Sequence, residues 1–197
     1  MSQSSGAEAL HGLIAPAGVG GDAVDWSAAC QKWGVRFPAD YVDFLHRYGT
    51  GVFVKYLRVL SPQVDQAGGL IDAMEEETEN ARGSEPLRTD GDVIAWGVDS
   101  DGDILCWLIS GEDPDKWPVV VWGRHSSPHW ATYDCGMVEF LRAVISGELA
   151  ESPLSGNDIW DSAPVMYLGD REETRLRALG LDPWTGEPDP YAGMSFG

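Results

Sequence analysis

Val93-Ile94-Ala95-Trp96-Gly97, then Asp99-Ser100-Asp101-Gly102-Asp103, then Ile104-Leu105-Cys106-Trp107-Leu108 read in order as strand, turn and strand. Asp101-Gly102 is a strong hairpin signal, and the runs on either side are rich in the β-branched and aromatic residues that favour sheets. After an acidic loop, Trp117-Pro118-Val119-Val120-Val121-Trp122 supplies a third strand, so strands are expected at 93–98, 104–110 and 118–122. Between Asp90 and Asp115 the chain carries eight carboxylates and no Lys or Arg. A sheet that offers negative charge from its turns suits the binding of something basic better than it suits chemistry.

Outward from this hairpin, the N-terminal side is helical. Trp26, Ala29, Cys30 and Trp33 recur at helical spacing behind the capping residues Asp22 and Asp25, and Gly34 stands where a helix ends. Phe37-Pro38 announces a second helix, with Pro at its first position. Tyr41, Phe44, Leu45 and Tyr48 form its stripe, and Gly49 stops it. These aromatics at helical spacing predict core residues, not a ligand box. Val52-Phe53-Val54 and Tyr56-Leu57-Arg58-Val59-Leu60 read as short strands. Residues 63–82 have helical character, with Leu70, Ile71 and Met74 apolar and Glu75, Glu76, Glu77 and Glu79 facing solvent. A closing helix starts near Thr132 or Asp134 and runs to Gly147, with Met137, Phe140, Leu141, Val144 and Ile145 as its apolar face. Beyond 150 the pattern thins: scattered apolar residues over 157–168, a short charged helix over 170–179, and an extended Pro/Gly-rich end.

The ordered set Phe37-Pro38-x-Asp40-Tyr41-x-x-Phe44-Leu45-x-x-Tyr48-Gly49, then Asp99-x-x-Gly102-Asp103 with Trp107, then Glu139-Phe140-Leu141 to Gly147 resembles the SUKH superfamily. That superfamily comprises bacterial immunity proteins and yeast cell-wall-synthesis regulators. The resemblance covers residues 22–149. It implies an α+β fold, with an N-terminal helix pair packed on a mixed, mostly antiparallel sheet and a closing helix. Outside it, composition reads residues 1–21 as a flexible lead-in with room for a short turn of helix over Ala9 to Ile14, and 150–197 as a partly irregular C-terminal extension. The resemblance also implies a non-catalytic role, in which many members bind and neutralise a toxin.

The 197 residues carry 32 acids against 13 bases, a net charge of −19. Such a surface repels phosphate backbones and anionic lipid, so neither nucleic acid nor membrane is expected as a partner. It accelerates encounter with a basic protein. Cys30, Cys106 and Cys135 are odd in number and widely spaced, which fits reduced thiols in a cytoplasm. No signal peptide or apolar run of membrane-spanning length is visible.

Motifs for chemistry fail on geometry. Asp99, Asp101 and Asp103 alternate like a calcium loop, but Gly102 precedes the third acid and the twelfth position is Ser110 instead of Glu. His125 and His129 have zinc-like spacing only on a helix, and Pro128 lies between them. There is no nucleophile elbow, no metalloprotease motif and no phosphate loop. Cys106 sits on the strand face opposite Trp107 with no paired base nearby. No enzyme, metal or cofactor is therefore expected. The predicted function is a cytoplasmic protein-binding module that occludes a basic toxin domain, for instance a nuclease, with regulatory scaffolding as the alternative. The predicted contact residues are Asp99, Asp101, Asp103, Glu112, Asp113 and Asp115, with Trp117 as the aromatic anchor. Trp117 and Trp122 are five residues apart and so point to opposite faces of their strand.

Overall fold

In a computed structural model, residues 3–14, 20–62, 73–84, 87, 91–149, 151–156 and 165–193 are described. Three helices come first: α1 (Gln3–Leu13), α2 (Trp26–Trp33) and α3 (Ala39–Tyr48). The strands β1 (Gly51–Phe53) and β2 (Leu57–Val59) lead to α4 (Ala73–Gly83). Then come β3 (Asp92–Asp99), β4 (Ile104–Ile109), β5 (Val119–Trp122) and β6 (Trp130–Tyr133). α5 (Met137–Ile145), β7 (Tyr167–Gly169) and α6 (Asp170–Ala178) complete the chain. The class is α+β. The sheet has seven strands in the order β6-β5-β4-β3-β2-β1-β7. Every strand pair in it is antiparallel, where a mixed sheet was expected. A parallel contact survives as the isolated bridge between Ile14 and Val165.

The Asp101-Gly102 turn closes the β3–β4 hairpin, and Gly102 takes the positive φ of 85° that such a turn requires. A bulge between Ala95 and Gly97 inserts Trp96 as an extra residue in β3. It turns Trp96 toward the helices, where its ring lies 6.2 Å from Trp107 and 6.1 Å from Phe140 of α5. Trp107 meets Tyr41 of α3 edge-on at 4.8 Å. The Tyr41 hydroxyl donates to the Leu60 carbonyl at 2.6 Å, so its burial leaves no polar atom wanting. The predicted aromatic stripes therefore interlock with the strand tryptophans as one core. On the other side of β3, beyond the end of β2, α4 packs so that the Thr78 hydroxyl accepts the Ala95 amide at 2.9 Å. Leu70 and Ile71, expected on this helix, lie outside the described residues.

Helix starts are built from aspartates. Asp25 caps α2 through the Ala28 amide, 3.0 Å away. Pro38 is the residue before α3, not its first residue, and has no capping oxygen; Asp115, from a distant loop, accepts the Ala39 amide at 2.7 Å instead. α5 begins after Gly136, which likewise lacks a capping side chain. Asp40 of α3 reaches across and accepts the Val138 amide at 3.0 Å.

Both termini depart from expectation. Within the predicted lead-in, residues 3–13 are helical: α1 packs on α5, Leu10 is fully buried, and the His11 ring contacts the Tyr48 hydroxyl. A buried leucine at the end of a short Ala-rich run was too weak a periodic signal to define a helix. The closing helix starts at Met137 instead of 132–134, because residues 130–133 pair with β5 from Val119↔Tyr133 to Trp122↔Trp130. Past residue 150, β7 pairs with β1 from Gly51↔Gly169 to Phe53↔Tyr167, and α6 follows directly. Tyr167 is buried against Phe44, Tyr48 and Phe53, and its hydroxyl donates to the Gly49 carbonyl. Residues 181–189 fold back on themselves through a Leu181–Pro188 bridge, not extended as expected.

The cross-helix cap yields a substitution series. Asp40→Ala strands the α5 amides and is expected to lower unfolding free energy by about 1–2 kcal/mol in urea titrations. Asp40→Asn keeps an acceptor and should fall between the two. An Ala variant as stable as the parent would show that the cap is dispensable.

Candidate functional site

The three acids of the β3–β4 turn do not share one environment. Asp99 is buried: its carboxylate accepts the amides of Asp101 and Asp103 at 3.0 and 2.9 Å and lies 2.8 Å from the Tyr56 hydroxyl. Asp103 is wholly inaccessible and accepts the Arg124 amide, the Ser155 amide and the Ser155 hydroxyl at 2.6–2.9 Å. Asp101 is exposed, although one of its oxygens also stands 2.8 Å from Tyr56 Oη. A phenol has one proton, so Tyr56 serves Asp99 and Asp101 in alternation while its own oxygen accepts the Gly156 amide at 2.9 Å. The turn is thus a knot that fastens residues 155–156 to the sheet. Burial pushes the Asp99 carboxyl up, against the opposing pull of its amide donors and Tyr56. The Tyr56 phenol is pushed up as well, by burial and by the acids it serves.

The remaining predicted contacts stand at the far end of β4. Six residues of strand, about 20 Å at the usual rise, separate the 100–103 turn from the 110–117 loop. There Glu112 is exposed, and Asp113 pairs with Lys116 at 3.1 Å, which lowers its carboxyl. Asp115 is exposed but caps α3. Trp117 is only 4% exposed, and its indole N–H donates to the Gly111 carbonyl at 2.9 Å. It belongs to the core and presents no anchor. The acid run that is continuous in sequence is therefore divided in space: Asp101 at one end, Glu112 and Asp113 at the other, with Asp99 and Asp103 inside.

The glutamates of α4 were read in the sequence only as solvent-facing, and the groove beside them went unmarked. Glu76 and Glu79 on α4 are exposed with no Lys or Arg partner among the described residues, whereas Glu75 pairs with Lys32 at 2.8 Å. Beside them lies an open groove of about 400 Å³, walled by Glu77 and Asn80 of α4, floored by Val98, Ile104 and Trp122, with Arg124 at its rim. Trp122 takes the face opposite α3 and α5, the one that carries Ile104, and stacks on His129 at 5.9 Å. Cys106, on that same face, is fully buried, and burial raises its thiol far above neutrality, so it supplies no thiolate nucleophile. The acceptor oxygens of Asp99 and Asp103 are engaged by amides and hydroxyls. Among the described residues no group of three His, Cys, Asp or Glu is placed to hold a metal, and no helix is long and apolar enough to cross a membrane.

A family model described as SUKH_6, SMI1-KNR4 cell-wall, matches residues 25–141, more than half of the chain. No curated protein and no solved structure matches it.

Tyr56→Phe removes the donor shared by two carboxylates, and Asp103→Ala strands three donors. Losses of about 1–3 kcal/mol are expected for each, with faster amide exchange at 155–156. Unchanged exchange there would dismiss the knot. The pH response follows from Asp40 and Asp99, both raised by burial above 3.8. A raised folded-state value favours the protonated form, so their contribution is complete below 3.8 and is lost as pH climbs through the raised values. Melting temperature should rise on acidification from neutral toward pH of about 5, and Asp40→Asn should flatten that rise.

Proposed function

The chain belongs to the SMI1-KNR4 family of non-catalytic immunity and regulatory modules, and from that premise we propose that it neutralises a toxin by binding a basic domain and occluding its working surface. The supporting observation is the charge left over after folding. Internal hydrogen bonds occupy Asp40, Asp99 and Asp103, while Asp101, Glu112, Glu76 and Glu79 stay exposed with no cationic partner among the described residues. A toxin domain that handles phosphates, such as a nuclease, carries the complementary positive cleft. Long-range attraction then sets the encounter rate, and apolar contacts hold the complex. The three cysteines, unpaired in this fold, suit action in the cytoplasm.

A regulatory reading uses the same surfaces with a cellular partner, and membership of the SMI1-KNR4 cell-wall family favours it. Genomic context divides the two: a toxin gene with a variable C-terminal domain directly upstream supports neutralisation, and an isolated housekeeping locus supports regulation. Co-expression with that toxin domain should restore growth.

The charge claim has its own kinetic test. Reversal of Asp101, Glu112 and Glu79 to Lys leaves every buried aspartate in place. It should slow association with the toxin domain roughly 10- to 100-fold at low salt, with the difference closing as salt rises. Identical rates at low salt would remove electrostatic steering from the mechanism.

A further inference from the structure

The end of the chain forms a small, tightly braced cap after α6. Leu181 bridges Pro188, the Asp189 amide donates to the Gly180 carbonyl at 2.8 Å, and the Asp182 carboxylate holds the Trp184 and Thr185 amides at 2.8 and 2.9 Å. Lys55, from the β1–β2 turn, sits 5.4 Å over the Trp184 ring and ties the cap to the sheet. Two large apolar side chains of the cap project into solvent, Leu179 at 61% and Tyr191 at 63% exposure; among the described residues no other large hydrophobic is comparably bare. The Asp189 amide bond to the Gly180 carbonyl and the approach of Ala192 to Gly180 bring together the two backbone segments that carry them.

Charge says what such a pair is for. Residues 178–197 include Asp182, Glu187 and Asp189 and no Lys, Arg or His. The nearest helix cations are already matched, Arg175 by Glu172 at 2.7 Å and Arg177 by Glu173 at 2.7 Å. The cap is therefore an apolar pair on a braced backbone that carries three acids, the half-buried Asp182 and Asp189 and the exposed Glu187, against one nearby cation, Lys55 of the β1–β2 turn. An exposed tyrosine with an aliphatic neighbour, ringed by charge, is the composition of an interface anchor. Pre-ordering lowers the entropy cost of docking.

We propose that this C-terminal cap, outside the family-matched region, is a docking surface for a basic protein, with Leu179 and Tyr191 entering an apolar recess and the three acids meeting cations around it. It deepens the toxin-binding reading and rests on it for the partner's character. The surface lies well away in sequence from the 99–117 acids.

The test uses the full chain, ¹⁵N-labelled, titrated with a capped tripeptide of phenylalanine between two lysines. The control is the same peptide with glutamates in place of the lysines. Amide shifts confined to 179–193, weakened at least about fivefold by the Leu179→Ser, Tyr191→Ser double variant and absent with the glutamate peptide, support the cap. Shifts centred on α4 or the 100–116 acids overturn it. So do shifts that survive the double variant, equal shifts from both peptides, or none from the lysine peptide. Both substitutions are at exposed positions, so an unchanged melting temperature certifies the fold. In the growth-rescue assay the outcomes separate: wild type that fails to rescue defeats the toxin reading, while a double variant that rescues as well as wild type defeats the cap alone.

Discussion

Aspartate carboxylates bonded to backbone amides tie this fold together at the points where helices and turns begin. Asp115 caps α3, Asp40 on α3 caps α5, Asp22 accepts the Thr50 amide and hydroxyl, and Asp99 and Asp103 close the central hairpin and hold residues 155–156 to it. Each bond fills an amide that would otherwise be an orphan, and a charged acceptor makes such a bond worth roughly 1.5–3 kcal/mol. The side chain is short, so its oxygen is held close to the backbone with little rotamer freedom to lose. That explains why the acids at these positions are aspartates, while Glu75, Glu76 and Glu79 are exposed on α4 and Glu172 and Glu173 pair with arginines along α6. It also links the elements in series: the loop before β5 positions α3, and α3 positions α5 against Trp96 and Trp107.

This division of labour changes what the net charge of −19 means. The family-matched hairpin is acidic in sequence chiefly because it must be closed, and two of its three acids are withdrawn from any partner. The field outside is set chiefly by the acids that remain at the surface. Acids and apolar groups share solvent instead on α4 beside the groove and on the C-terminal cap.

Much of the architecture was legible because it is periodic. The stripes of Trp26 to Trp33 and Tyr41 to Tyr48, the Asp101-Gly102 turn and the apolar face from Met137 to Val144 each repeat a local rule, and each element formed close to where the rule placed it. β6 and β7 were not legible, since residues 130–133 run into the start of a helical pattern and 167–169 lie where the pattern thins, and both owe their state to pairing with β5 and β1. The site was readable in composition but not in geometry. Nothing near Asp99 in sequence reveals that Tyr56, forty-three residues earlier, donates to it, nor that Ser155 lies fifty-two residues beyond Asp103 and bonds it. Trp117 misled for a related reason. Alternation assigns it a face, but only the fold shows that both faces are covered there.

The β1–β2 turn shows why the chain past residue 150 is part of the structure and not an appendage. The three residues between Phe53 and Leu57 open with a turn closed by the Tyr56 amide on the Phe53 carbonyl, and a type I′ turn of this kind takes positive φ at both central positions, a requirement usually met by Asn-Gly. Here Val54 and Lys55 hold φ values of 42° and 63°. A β-branched residue in that region is strained by about 1–3 kcal/mol, so something must hold it. The Val54 amide donates to the Met166 carbonyl at 2.9 Å, Lys55 lies on Trp184, and Tyr56 accepts the Gly156 amide. All three restraints come from beyond residue 150. With Tyr167 filling the aromatic cluster behind β1, the later segment both covers the sheet edge and fixes the turn that Tyr56 needs in order to reach Asp99. The hairpin that identifies the fold is thus completed by residues that the family match does not include.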